Sequence, residues 1–363
     1  MKKRGLILIP FLTGYGGTET VIKNLLTSYN KNKNECNIQL KLYSLGGYVN
    51  GDWLHFPNVK VFQFPKNRKL REFLYLFTLP FLIFYLIFKE KPNFIISTNP
   101  IIWTIAKIES ELIHKNIKMI AWYHYSYIRK PVNKYFLNKP DYFFTISKSG
   151  KKELESLGIK PDQIFVIYNP VIPTKKIIRR SKNHNQFIYV GRLEYKGQKD
   201  ISELFKALSK LNNDNWKLRI YGTGPDKHKL ISLSKKLNIF HNIEWMGFIN
   251  NPLDHVKEAD ALILTSAYEG FPMVIAEALA RGLYVISSNC PSGPSELINS
   301  DNGNLYKPND IHQLSTLIDN VLDRNKMLNQ LKIRNSISRF YVDSYFSNFV
   351  KYINKLSRNR YDK

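Results

Sequence analysis

The hydrophobic content of 44% is ordinary for a soluble globular protein, and at 363 residues the chain is longer than one core usually fills, so two domains are expected. Its 54 Lys and Arg against 29 Asp and Glu leave a net charge of +25, shared by both halves, without zinc-finger spacing or an aromatic-basic RNA-binding motif. Only two cysteines occur, Cys36 and Cys290, which argues against a disulfide framework and points to a reducing compartment.

The chain opens Met1-Lys-Lys-Arg and then a short apolar run, residues 5–11. The run superficially resembles a signal peptide, but a glycine loop follows in place of a small-residue cleavage site, so a first buried strand is predicted. That loop, Thr13-Gly14-Tyr15-Gly16-Gly17-Thr18-Glu19, leads into an amphipathic helix carrying Val21, Ile22, Leu25 and Leu26. Glycines there let the backbone approach a phosphate or substrate closely. The loop has neither the G-x-G-x-x-G nor the Walker spacing.

Further strands are predicted at 38–43, 59–64, 94–97, 119–122, 142–146 and 165–168. Residues 73–88 stand apart, sixteen positions with almost no polar content, preceded by Lys66, Arg68, Lys69 and Arg71. The run is shorter than the ~20 residues of a bilayer span and contains Pro80, so a buried domain helix is expected. The alternative is a surface helix dipping into a membrane beside its basic cluster. Ala121-Trp-Tyr-His-Tyr-Ser126 places His124 just after a strand. A histidine among aromatics is commonly a packed residue and becomes a catalytic candidate only with partners.

Residues 174–185 are basic, polar and without apolar period, which predicts a linker. Strands then resume at 187–190, 217–221, 243–246, 261–265 and 284–287, with helices expected at 201–211, 228–237, 252–259 and 273–281 and a helical tail at 311–331 and 336–356. Such alternation predicts two doubly wound parallel α/β domains around a cleft, with ligands beyond the carboxyl ends of the strands. Tyr189-Val-Gly-Arg-Leu193 and Tyr195-Lys-Gly197 fall at such an end, where Arg192 can clamp a phosphate bidentately and Lys196 can add a point charge. Tyr221-Gly222-Thr-Gly224-Pro225 and Met246-Gly247-Phe248 end the next two strands, and suit either a nucleotide or plain turns.

Ser266-Ala-Tyr-Glu-Gly-Phe-Pro-Met-Val-Ile-Ala-Glu-Ala-Leu-Ala-Arg-Gly282 follows the strand at 261–265. Pro272 fits a first helical position. Glu269 then lies in the strand-to-helix turn and Glu277 in the helix, ~8 Å from Pro272 along the axis. Two carboxylates flanking a helix N-terminus suit a ligand with hydroxyls at both ends and phosphate between them, the layout of a nucleotide sugar. Ser292-Gly-Pro-Ser-Glu296 offers a further loop. No His, Cys or Asp cluster has metal-ligand spacing, and no Asp-x-Asp element sits where a metal-dependent transferase would need it.

Over nearly the whole chain these motifs resemble glycosyltransferase family 4, retaining enzymes of GT-B fold. The resemblance rests on GGTE, YNPV, YVGRLEYKGQK, YGTGP and the paired glutamates of EGFPMVIAEALARG, all in the family's order. GYGGTETVIKNLL, AWYHYS, SSNCPSGPSELI and the RFYVDSYFSNF tail are most similar to members that build the lipopolysaccharide core.

The resemblance implies a GT-B fold, α/β, with two Rossmann-like doubly wound domains facing across a cleft. Residues 1–172 would form the acceptor-binding domain, 173–185 the linker, 186–335 the nucleotide-sugar domain and 336–363 a helix returning to the first domain. Arg192 and Lys196 would hold the donor diphosphate, Glu277 the ribose hydroxyls, and Glu269 with the amides of Gly270 and Phe271 the transferred hexose. His124 would contact the sugar, and Gly16 and Gly17 would lie beside the phosphate and acceptor. Gly222, Gly224, Met246, Gly247, Phe248, Pro272, Met273 and Val274 complete the implied donor site.

The implied reaction is retaining and metal-independent transfer of a hexose, galactose from UDP-galactose first, to a lipopolysaccharide core or related lipid-linked glycan. UDP-glucose or a UDP-N-acetylhexosamine used in capsule or exopolysaccharide synthesis is the alternative. The expected partners are a UDP-sugar, a glycan or glycolipid acceptor and the cytoplasmic membrane surface, with no nucleic acid and no cofactor. A glycoside hydrolase would also use two carboxylates, but that reading leaves Arg192, Lys196 and the glycine loops without a task. A non-catalytic binder of membrane or nucleic acid is a third class.

Overall fold

The computed structural model describes residues 2–14, 16–51, 54–182, 185–323 and 328–356. Tyr15 of the glycine loop, Asn183 and His184 of the expected linker, and positions 357–363 of the expected final helix lie outside them. The chain divides into two compact units, residues 1–170 with 342–363, and residues 171–341.

The first unit is a parallel sheet of seven strands in the order β3-β2-β1-β4-β5-β6-β7. Its elements are β1 (Lys3–Ile9), α1 (Gly17–Asn32), β2 (Ile38–Ser44), β3 (Val59–Val61), α2 (Arg68–Glu90), β4 (Phe94–Ser97), α3 (Pro100–Leu112), β5 (Lys118–Trp122), α4 (Lys134–Leu137), β6 (Tyr142–Thr145), α5 (Lys148–Ser156) and β7 (Ile164–Val166). The central strands β1, β4, β5 and β6 are buried on both faces over most of their length, as a sheet covered by helices on each side requires, and β4 is buried at all four positions. Strand order reverses between β1 and β4, which pair in register from Gly5–Phe94 to Leu8–Ser97.

A final helix, α12 (Val342–Leu356), belongs to this first unit. It buries Tyr345, Phe346, Phe349, Ile353 and Leu356, the spacing of one helical face. Phe346 meets Tyr29 of α1 edge-on at 6.5 Å between ring centroids, and Phe349 meets Phe144 of β6 at 6.0 Å.

The apolar run at 73–88 forms most of α2, a 23-residue helix capped by the Asn67 side chain, which accepts from the Leu70 amide. The expectation of a buried domain helix is corrected here. Leu79, Ile83, Leu86 and Ile87 face the core, whereas Phe73, Leu76, Phe77, Phe81, Phe84, Tyr85 and Phe88 are exposed. By length and composition this helix also reaches what a membrane span needs.

The second unit is a parallel six-stranded sheet in the order β10-β9-β8-β11-β12-β13. In chain order it comprises β8 (Asn185–Val190), α6 (Ile201–Leu208), β9 (Trp216–Tyr221), α7 (Lys227–Lys236), β10 (Ile243–Gly247), β11 (Ala261–Leu264), α8 (Met273–Leu279), β12 (Tyr284–Ser288), α9 (Pro294–Leu297), β13 (Gly303–Tyr306), α10 (Ile311–Leu322) and α11 (Gln330–Asn335). Here the order reverses between β8 and β11. A sheet of this kind opens a ligand crevice at that point.

Three local expectations change. Residues 174–182 are no free linker: Ile178 is fully buried, its amide donates to the Arg281 carbonyl at 3.0 Å, and Arg179 pairs with the strand-like segment at 257–259. That pairing explains why 252–259 is not a helix. Only Pro252–Asp254 makes a short 3-10 turn, because the backbone beyond it is used for the extended pair. The tail at 311–331 is likewise divided, with α10 ending at Leu322 and α11 starting at Gln330.

Candidate functional site

In the second unit the loops after β8 and β11 flank the reversal point, and they carry Arg192, Lys196 and Glu269. The glycines of the neighbouring loops have packing tasks. Gly222 has φ +144°, and a Cβ there would collide with the Gly191 carbonyl oxygen. One on Gly224 would collide with the Leu193 backbone. That close approach allows the Gly191 amide to donate to the Tyr221 carbonyl and the Leu193 amide to the Thr223 carbonyl, both at 3.0 Å. Gly222 in turn donates to Gly247 at 2.8 Å. The loops ending β8, β9 and β10 are therefore stitched into one surface. Met246 and Phe248 stand exposed on it around Gly247, whose φ is +73°.

Arg192 is largely exposed, and its Nε lies 3.2 Å from Glu194 Oε1. Lys196 is exposed at the tip of the same loop. The cation drawn into the interior is a different one. Lys199, its side chain only 16% exposed, donates from Nζ to Glu269 Oε1 at 2.5 Å, and the Glu269 side chain is 8% exposed. The surrounding backbone fixes the pair. Ala267 donates to the Gln198 carbonyl at 2.8 Å, Gln198 Nε2 to the Tyr268 carbonyl at 3.2 Å, and Thr265 Oγ1 to the Asp200 carbonyl at 2.8 Å. Sequence reasoning singled out Arg192 and Lys196 and missed Lys199. Its pointer was the Gly197-Gln-Lys199 turn, in which Gln198 ties the loop to the one bearing Glu269.

α8 begins at Met273, so Pro272 is its cap (φ −74°, ψ 90°) rather than its first helical residue. Gly293, at φ +103°, backs onto this turn, where any Cβ would strike the Pro272 ring. Hence the Ser292–Glu296 loop serves as a support for residues 270–272. Phe271 and Met273 are buried, and Gly270 and Val274 are partly covered. Glu277 lies one turn into α8, partly covered, and burial pushes its carboxyl up to about 7 while Arg281 opposes the shift. Arg281 does not neutralise it directly, since its guanidinium donates to Asp254 Oδ1 at 2.6 Å and to the Glu277 carbonyl oxygen at 2.9 Å. Beside Glu269, burial drives the Cys290 thiol up to about 12, so it stays protonated.

In the first unit, Gly16 caps α1 in an extended conformation and Gly17 is its exposed first residue. Glu19 is buried, and Oε1 accepts from the Gly14 amide at 3.1 Å and from Thr13 Oγ1 at 3.2 Å. It holds the glycine loop in shape. His124 follows β5, one strand beyond the β1/β4 reversal, with its ring 4.6 Å from that of Trp122. Burial pulls its pKa down to about 3, leaving a neutral imidazole whose Nε2 is shielded and has no hydrogen-bond partner among the described residues. It is thus polar and uncharged at neutral pH. Among the described residues, no group of three or more His, Cys, Asp or Glu is placed to hold a metal ion.

The family model described as "Glycosyltransferase Family 4" matches residues 15–175, and "Glycosyl transferases group 1" matches 171–336. The lipopolysaccharide 1,6-galactosyltransferase of Salmonella typhimurium is 30% identical over 345 residues, 93% of this chain and 95% of that protein. The apo structure of the lipopolysaccharide outer core galactosyltransferase WaaB superposes with a TM-score of 0.84 at 30% identity, covering 97% of this chain and 99% of WaaB. Anabaena HepE, solved in complex with UDP, shares the fold at 17% identity, with a TM-score of 0.77 over 98% of this chain and 100% of its own. With two parallel α/β units in that arrangement of motifs, the chain belongs to the family 4 glycosyltransferases of GT-B fold.

Proposed function

We propose that this protein is a retaining, metal-independent hexosyltransferase that moves galactose from UDP-galactose to a lipopolysaccharide core or related lipid-linked glycan at the cytoplasmic membrane surface. The observation that carries the reading is the Lys199–Glu269 pair at the β8/β11 reversal of the second unit, with Glu277 behind it on α8. A glycosidase dyad needs one carboxyl poised as acid and its partner as nucleophile or base. Such a dyad would leave the cations Arg192, Lys196 and Lys199 without a task, whereas a carboxylate held by Lys199 beside them suits a group that orients a sugar hydroxyl next to a diphosphate.

In this reading Arg192, Lys196 and Lys199 take up the donor diphosphate, with Glu194 and Glu269 holding two of the cations in place beforehand. Glu277 accepts from the ribose hydroxyls. Glu269 with the Gly270 and Phe271 amides addresses the hexose, and Pro272, Met273 and Val274 shape the turn behind it. Met246, Gly247 and Phe248 offer apolar side chains and a backbone edge to the base. His124 supplies a neutral polar group to the sugar, and Gly16 and Gly17 line the acceptor side. The bond from C1 to the phosphate oxygen breaks with its electrons going to the diphosphate, which the cations stabilise. The acceptor oxygen joins C1 on the same face, and its proton passes to the leaving phosphate oxygen.

A panel of UDP-galactose, UDP-glucose, UDP-N-acetylglucosamine and GDP-mannose tests this, scored by thermal shift and then by transfer to lipopolysaccharide core acceptors. UDP-galactose should give the largest stabilisation and the fastest transfer. Preference for UDP-glucose or a UDP-N-acetylhexosamine with capsule-type acceptors would support the second reading.

A further inference from the structure

On α2, Leu70, Phe73, Phe77, Phe81, Phe84 and Phe88 recur at steps of three and four residues and form one stripe. All six are exposed, Phe81 at 77% and Phe88 at 65%. The stripe runs ~27 Å along the helix. No charged residue interrupts positions 73–88. An exposed apolar surface of this extent marks a contact site in a soluble protein.

The ends of the stripe carry one sign of charge. Lys69 lies one turn before Phe73 on the same face, next to exposed Lys66. At the other end the Lys115 ammonium sits 5.7 Å from the Phe88 ring centre, and Lys89 donates to the Tyr85 hydroxyl at 2.8 Å. The nearby acids are already engaged: Glu72 by Arg68 at 2.7 Å, and Glu90 by Lys41 at 2.6 Å and Tyr43 at 2.5 Å.

We infer that this stripe is a membrane-docking face, on which α2 lies in the plane of an anionic bilayer with its phenylalanines among the acyl chains and its flanking lysines at the headgroups. Basic clusters at both ends set cation against cation if two copies met stripe to stripe, in either direction, whereas anionic lipid complements both. The opposite face is committed to the core through Leu79, Ile83, Leu86 and Ile87, so the helix docks without leaving its unit. The inference deepens the reading of a membrane-borne acceptor, and it fails separately from it. UDP binding and transfer to a detergent-dissolved acceptor test that reading, and vesicle partition tests this face.

The full chain should be sedimented with vesicles of phosphatidylcholine containing 30% phosphatidylglycerol, and with phosphatidylcholine alone. Wild type should bind the anionic vesicles and be released by alkaline carbonate. Phe77→Ser/Phe81→Ser should weaken partition roughly hundred-fold by removing two inserted rings. Lys69→Ala/Lys115→Ala should weaken it roughly ten-fold or more, and only on anionic vesicles. Both variants should keep wild-type UDP affinity and helical content. Wild type that ignores anionic vesicles, or a phenylalanine variant that binds as wild type does, overturns the inference. So does carbonate-resistant binding, which means a span, or a dimer that Phe77→Ser/Phe81→Ser dissociates, which means a second copy covers the stripe.

Discussion

Lys199 Nζ and Glu269 Oε1 lie 2.5 Å apart, joining two largely buried side chains seventy positions apart in the chain. Removing one member of such a buried pair strands the other charge, which costs about 3–5 kcal/mol. Lys199→Ala should therefore lower the urea-denaturation free energy by that order. Lys199→Met/Glu269→Gln should lose less than either single change. If the same cation also stabilises the departing diphosphate, Lys199→Ala should slow transfer by about 10²–10³. Additive losses in the double variant, or wild-type rates for Lys199→Ala, would count against the pair's assigned role.

Glu277 makes the second prediction. Its carboxyl is raised to about 7 by burial, above its ordinary 4.5, so the folded protein holds a proton there that the unfolded chain releases between those values. That stability is present below about pH 4.5 and is lost as pH rises through 7. Glu277→Gln should thus gain on wild type between pH 5 and 8, by about 1–2 kcal/mol once the side chain's partial solvent access is allowed for. Ribose hydroxyls donate to the ionised form, so affinity for a UDP-sugar should rise through pH 7 in wild type and stay flat in Glu277→Gln. Calorimetric titration at pH 6 and pH 8 reads this directly.

For His124 the sign is opposite. Its pKa is pulled down to about 3, so the unfolded chain takes up a proton below about 6.5 that the folded protein refuses until far lower. Stability should fall as pH drops from 6.5 towards 4, and His124→Gln should fall less. Proton NMR of the imidazole should show a neutral ring at pH 6. An imidazolium there would remove the basis for a neutral polar contact to sugar.

The glycine loops separate by cost. Gly222→Ala meets the Gly191 carbonyl at a left-handed φ, and should lose about 2–3 kcal/mol along with UDP binding. Gly247→Ala has the same sign of φ but open space around the new methyl, and should lose only about 1 kcal/mol. Thermal melts of the two variants distinguish a required close approach from an ordinary turn.

Much of this was legible in the chain because parallel strands buried on both faces read as short apolar runs. β4 at Phe94–Ser97 matches its predicted run residue for residue. β13 was missed because Gly303-Asn-Leu-Tyr306 is a short edge strand with too little apolar content to stand out. Composition also concealed the outward face of α2, since a run of phenylalanines reads the same whether it meets a core or a solvent boundary. Lys199 was missed for another reason. Among 54 basic residues no single lysine is conspicuous, and only folding brings it against Glu269.

The most direct test of the proposed retaining, metal-independent galactosyl transfer is a proton NMR time course of UDP-galactose with a lipopolysaccharide core acceptor, run with and without chelator. The first product formed should be α-linked galactose, accumulating with UDP at the same rate with and without chelator and without free sugar. A β-linked product, a requirement for added metal, or hydrolysis to free galactose in place of transfer would contradict it.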